Sequence, residues 1–311
     1  MLKLPGAAAF QSTLRNKSRR YPDRDDARYD DFYIYPTVTP GFGLRPGSTI
    51  FTIGSCFARN VEKVLDEVGM DVPTRRFAAP NEEAPGESNR VLNQYNPATM
   101  VQAVAAAGEA PDQRGIYSTP QGVVDTLLAT GSRSVTPARA MERRGQISDL
   151  YRDGLAQAET VVVTLGLVEA WYDLEDRIYL NEAPPPPVIK AAPDRFEFHQ
   201  LDVPTCLDMV SELTERLIDG GRRRMVMTVS PVPLQTTFAG GDAVVRNSYS
   251  KSVLRVVAEM ITQRFEGVDY FPSYEIITTS GMRSFGEDNV HVRPLVVDRV
   301  VRHMVRLYTG E

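Results

Sequence analysis

Short, nearly unbroken apolar runs punctuate the chain at residues 49–53, 161–165, 225–229 and 268–271. Their length and β-branched content predict strands buried on both faces, as in a parallel sheet. Between these runs the apolar positions switch to a helical period. Phe57, Val61, Val64, Leu65 and Val68 fall on one face ahead of Gly69, with Asn60, Lys63 and Glu67 elsewhere, which predicts an amphipathic helix. Helices are likewise predicted over 147–158, 204–217 and 248–264, the last with Tyr249, Val253, Val256, Val257, Met260 and Ile261 at helical spacing. A final helix starts near Pro294 and buries Val297, Val300, Val301, Met304 and Val305. Strand, tight turn and helix in alternation predict an α/β fold around a central parallel sheet.

Two stretches break the pattern. Residues 1–45 are rich in Arg, Asp, Tyr and Pro and lack sustained periodicity, so they read as an extended arm over a single main domain at 46–311. Residues 172–203 contain four consecutive prolines, Pro184 to Pro187, which resist both helix and central strand. They read as a surface excursion, either passive or a lid over a site.

Composition narrows the function classes. A hydrophobic fraction of 42% with 24% charged residues is ordinary globular usage and requires neither disorder nor a fibrous architecture. A formal net charge of -5 gives no electrostatic footprint for nucleic acid. The sharpest basic run, Arg222, Arg223 and Arg224, reads as a solvated strand entrance. No run is long enough for a membrane span or a secretory leader, so the expected location is the cytoplasm. Cys56 and Cys206 are too few for a disulfide framework, and with His199, His291 and His303 they supply no metal-ligand spacing. No cofactor or metal is expected, and the chain does not specify an oligomeric state.

Candidate chemistry begins at Gly54-Ser55, where a buried strand turns into a helix. Such a position projects the serine hydroxyl at the carboxyl end of the sheet, beside free backbone amides and the positive end of the helix dipole. It suits a nucleophile with an oxyanion site, or a serine that caps the helix. Asp288 and His291, three apart before the last helix, can place a carboxylate against an imidazole and fix its tautomer. Cys56 is a rival thiol, but the helical repeat turns it about a hundred degrees from Ser55, so both cannot face one base. His199 is the alternative base. His303 reads as exposed surface, Cys206 as core, and Trp171 and Tyr172 as core aromatics or the lining of an acyl or sugar pocket.

Thr52-Ile53-Gly54-Ser55-Cys56-Phe57-Ala58 resembles the signature of the GSCFA family, in the SGNH/GDSL hydrolase-like superfamily. The resemblance continues in order through Asn93-Gln94-Tyr95-Asn96-Pro97, Thr164-Leu165-Gly166, Thr228 to Pro233, Tyr270 to Glu275 and Asp288 to His291. It implies a three-layer α/β/α sandwich of flavodoxin-like arrangement, with Ser55 as nucleophile, His291 as base and Asp288 as its orienting partner. The superfamily's oxyanion hole joins the nucleophile's amide, a glycine amide and an asparagine carboxamide. Gly166 stands at the glycine position, but Val168 stands where the asparagine would be, leaving Asn96 as a candidate replacement and the Cys56 segment as part of the pocket. The implied activity is hydrolysis of a carbohydrate or small-metabolite ester through an acyl-serine. Acyl transfer to a polysaccharide hydroxyl uses the same residues, and Val168 motivates a third reading, a non-catalytic carbohydrate-binding or interaction protein.

Overall fold

The computed structural model describes residues 1–310. In chain order the elements are α1 (Gly6–Arg15), the ribbon β1 (Tyr29–Asp30) and β2 (Tyr33–Ile34), β3 (Ile50–Gly54), α2 (Cys56–Glu67), α3 (Pro97–Ala105), the hairpin β4 (Ile116–Thr119) and β5 (Gly122–Asp125), and α4 (Pro137–Gln157). There follow β6 (Thr160–Leu165), β7 (Glu169–Asp173), β8 (Ile178–Leu180), α5 (Pro186–Ala191), β9 (Phe196–Gln200), α6 (Val203–Ile218), β10 (Arg224–Val229), α7 (Ala243–Arg264), β11 (Val268–Tyr270), α8 (Ser273–Thr279) and α9 (Pro294–Thr309).

The four apolar runs form one parallel sheet in the order β11-β10-β6-β3. A parallel bridge between Thr49 and Asp71 adds the rudiment of a fifth strand outside β3. With it, the spatial order matches the 2-1-3-4-5 flavodoxin-like winding. Alternation along each strand divides the core. Phe51, Ile53, Val161, Val163, Met225 and Met227 pack with α3, α4, α6 and α7, while Ile50, Val162 and Val226 pack with α2, α8 and α9. A sheet apolar on both faces must be covered on both, and the result is a three-layer α/β/α sandwich.

Three sequence expectations need correction. The first 45 residues are not wholly irregular, since they hold α1 and the β1–β2 ribbon before Leu44 N–H bonds the Tyr308 carbonyl at 2.7 Å. The 172–203 stretch is structured too. β7 pairs antiparallel with both β8 and β9, and α5 begins inside the proline run because Pro186 and Pro187 occupy its first turn, where a missing N–H costs nothing. Finally, Arg223 is not solvated. Its buried guanidinium donates to the carbonyls of Leu155, Arg216 and Leu217, closing the carboxyl ends of α4 and α6.

Candidate functional site

β3 ends at Gly54 with φ of +152°, and a Cβ there would sit 2.5 Å from the Thr164 carbonyl oxygen and 2.7 Å from its Cβ. Only glycine lets the strand break at this point against β6. Ser55 follows in an extended conformation at the N-cap of α2, but its side chain makes no capping bond. The residue is 4% exposed and its Oγ has no hydrogen-bond partner. Thr164 Oγ1 and Gln94 Oε1 are likewise buried and unpaired. Buried polar atoms are ordinarily satisfied, so an unpaired serine hydroxyl at the end of the sheet points to a place that receives something polar.

Two loops close on Ser55. Gln94 N–H donates to the Gly54 carbonyl at 2.8 Å, laying the 93–96 loop across the end of β3. Gly166, just past β6, is wedged between that loop and the serine. A Cβ on it would meet the Tyr95 carbonyl oxygen at 2.5 Å and Ser55 Cβ at 3.2 Å. Its N–H donates to no protein group among the described residues. Cys56, the first residue of α2, is partly buried. Burial pushes its thiol up from the ordinary cysteine value, and the Lys251 ammonium pulls the other way.

Asp288 and His291 form a unit of their own. Asp288 Oδ1 accepts the N–H groups of Val290 and His291, each at 3.0 Å, and Oδ2 accepts Nδ1–H of the imidazole at 2.6 Å. The imidazole bond and these two amides hold the carboxyl of Asp288 down at about 2. With Nδ1 carrying the proton toward Asp288, Nε2 is left as a proton acceptor. The loop is anchored by Phe285 and Val292, which share an apolar cluster with Phe57, two residues beyond Ser55. The His291 side chain is 67% exposed, and Ser55 Oγ has no partner, so the two are not hydrogen-bonded in this conformation.

The other candidates lie elsewhere. Asn96 caps α3 by accepting Thr99 N–H at 3.0 Å, while its Nδ2 faces the Leu180 carbonyl at 3.5 Å. Val168 is fully buried in the core and Glu169 accepts from Thr237 Oγ1 and Phe238 N–H, tethering the loop after β10. His199 lies on β9, bonded to Tyr179 and Glu197 and stacked on Tyr172. His303, expected at the surface, is instead covered by the N-terminal segment, with the Tyr35 ring edge-on at 4.7 Å. Burial, then Arg306, lowers its imidazole from the ordinary value. Trp171 joins Phe198 and Phe238 in an aromatic cluster, and Cys206 is core.

One residue escaped sequence reasoning altogether. Lys251 on α7 is 2% exposed and donates from Nζ to the Gly166 carbonyl at 2.7 Å. In the sequence it stands between two serines in a polar stretch and carries no sign of burial. No group of His, Cys, Asp and Glu side chains among the described residues could hold a metal ion, and no helix among them is long and apolar enough to cross a membrane.

A parallel sheet wound in this order, with a serine buried where its first strand meets a helix, defines a three-layer α/β/α protein of flavodoxin-like winding. The GSCFA family model matches residues 49–304, and the chain belongs to that family. Among solved structures it is similar to a carbohydrate esterase family 2 enzyme with a carbohydrate binding domain from Corynascus thermopiles (Myceliophthora fergusii), at 11% identity and a TM-score of 0.36, over 89% of this chain and 70% of that one. No curated protein matches.

Proposed function

We propose that the protein is a serine-dependent ester hydrolase acting on a carbohydrate or small-metabolite ester. The observation that carries this reading is the Ser55 hydroxyl, unpaired and wedged against Gly166 at the N-terminus of α2. A buried hydroxyl beside free amides and a helix dipole suits attack on a carbonyl whose oxygen becomes negative. Asp288 supports the same reading by presenting the imidazole of His291 as a base.

In the first half-reaction, the Ser55 oxygen bonds the ester carbon while its proton passes to His291 Nε2. The carbonyl oxygen becomes an anion facing the Gly166 amide. Collapse breaks the bond to the alcohol, which leaves with the proton from the imidazole and gives an acyl-Ser55. Water repeats the sequence and frees the acid. Proton transfer requires the 285–293 loop to bring the imidazole onto Ser55, since catalytic hydrogen bonds commonly tighten only with substrate bound.

A panel of p-nitrophenyl and acetylated-sugar esters tests this reading, together with a fluorophosphonate probe. Wild type should hydrolyse at least one ester and label stoichiometrically at Ser55, with both lost in Ser55→Ala and turnover lost in His291→Ala. Equal rates for wild type and Ser55→Ala across the panel, with no labelling, overturn it.

A further inference from the structure

Lys251 is a lysine buried in the core without a carboxylate partner among the described residues. It forms no ion pair among the described residues, and its one hydrogen bond goes to the Gly166 carbonyl. Desolvating an ammonium without an opposing charge is costly, and an apolar side chain would fill the same space more cheaply. What the lysine touches is therefore informative.

Gly166 carbonyl and Leu167 N–H belong to one planar peptide and point in opposite directions. Lys251 holds the carbonyl end at 2.7 Å, and the Tyr95 carbonyl accepts the Leu167 N–H end at 2.9 Å. The neighbouring helix residue extends the clamp, because Ser250 Oγ accepts Val168 N–H at 3.1 Å. Tyr95 is itself fixed, its N–H donating to Asn181 Oδ1 at 2.8 Å. Two adjacent residues of α7 thus bind two successive peptides of the loop that carries Gly166, and that loop abuts Ser55.

We propose that Lys251 is a positioning residue of the Ser55 site: it fixes the Gly166–Leu167 peptide on one side of the Gly166 Cα, as Ser230 N–H fixes the Leu165 carbonyl on the other at 2.8 Å, and the two together hold the Gly166 N–H toward the oxyanion. The inference rests on the esterase reading of Ser55. It also accounts for chemistry at a site where Val168 supplies no side-chain donor: a rigidly held glycine amide takes the place of a second donor. Burial lowers the ammonium to about 7, with the Cys56 thiol as the titratable group facing it, so the charge is one that function in this site can feel.

The test compares wild type, Lys251→Met and Lys251→Gln, each shown to be folded by circular dichroism and unfolding. Two readouts are taken. The first is the Gly166 and Leu167 amide signals and their hydrogen exchange. The second is kcat and KM on an ester that wild type cleaves. Lys251→Met should shift both amide signals, accelerate Leu167 exchange and lower kcat by about 10²-fold with KM changed far less, as expected for a misplaced transition-state donor. Lys251→Gln, which can still donate to the carbonyl, should recover part of kcat. An active wild type with folded Lys251→Met at similar kcat overturns the positioning role alone. A wild type inert on every ester and unlabelled at Ser55 removes the esterase reading, and the oxyanion role with it.

Discussion

Replacing Gly166 by alanine tests the geometry of the site with a single methyl group. The φ of Gly166 lies outside the left-handed region, so the effect is purely steric. The new Cβ would stand 2.5 Å from the Tyr95 carbonyl oxygen. An ordinary C···O contact is about 3.3 Å or longer, so something must move by about 0.8 Å. Tyr95 cannot readily retreat. Its carbonyl accepts Leu167 N–H and its N–H is bonded to Asn181. On the other side the methyl meets Ser55 Cβ at 3.2 Å. Overpacking of this kind costs about 1–3 kcal/mol of stability. Displacing the glycine amide as well should lower kcat by about 10²–10³-fold, the usual loss for one oxyanion donor. Urea unfolding gives the first quantity. The second comes from ester turnover and from the rate of fluorophosphonate labelling, which should fall in parallel. A variant with wild-type midpoint and wild-type labelling rate would refute the close approach of Gly166 to Ser55.

Other expectations follow from packing and charge. Glu62 is buried and receives Thr52, Thr74 at 2.6 Å, Asn89 at 2.8 Å and the buried Arg59 at 2.7 Å, so Glu62→Ala strands a cation and should cost about 3–5 kcal/mol in urea unfolding. Two glycines of α4 should respond with opposite sign. Gly145→Ala meets only Pro111 Cγ at 4.0 Å and should gain about 0.5–1 kcal/mol, whereas Gly154→Ala meets the Phe51 ring at 2.8 Å and should lose about 1–3 kcal/mol. Burial lowers Lys251 from 10.5 to about 7 in the folded state, so between those values the unfolded chain binds the extra proton and stability rises with pH. The slope is at most about 1.4 kcal/mol per pH unit, and the difference between wild type and Lys251→Met, which leaves the opposing Cys56 titration in place, should show it. Asp288→Asn should keep the fold but remove the carboxylate that fixes the His291 tautomer, lowering kcat by up to about 10⁴-fold with labelling of Ser55 slowed in step.

Much of the fold was legible because the four central strands are buried on both faces and read as apolar runs. The places where reading failed share a physical cause, polar groups paired inside the protein. The start of α4 was missed because Arg143 and Arg144 interrupt its apolar stripe, yet both are buried on Glu83 and Asp125. Arg223 read as solvated because three helix carbonyls that bind it are invisible in sequence. The antiparallel sheet β7–β9 was hidden by a proline run that turned out to open a short helix.

The site shows the same division. Ser55 and Gly166 sit at strand ends, where a one-dimensional pattern of run, turn and glycine marks the carboxyl edge of the sheet. Asp288 and His291 are neighbours in sequence, so their pairing was legible as well. With Val168 at the position of an expected donor, the sequence pointed to Asn96 as its replacement, but the Asn96 carboxamide caps α3 and faces the Leu180 carbonyl. Val168 points into the core, and the charge nearest the Gly166 peptide comes from α7, 85 residues away. A lysine flanked by serines is ordinarily a solvated helix face, yet this one is buried with its Nζ on the Gly166 carbonyl. Contacts of that separation leave no periodic trace.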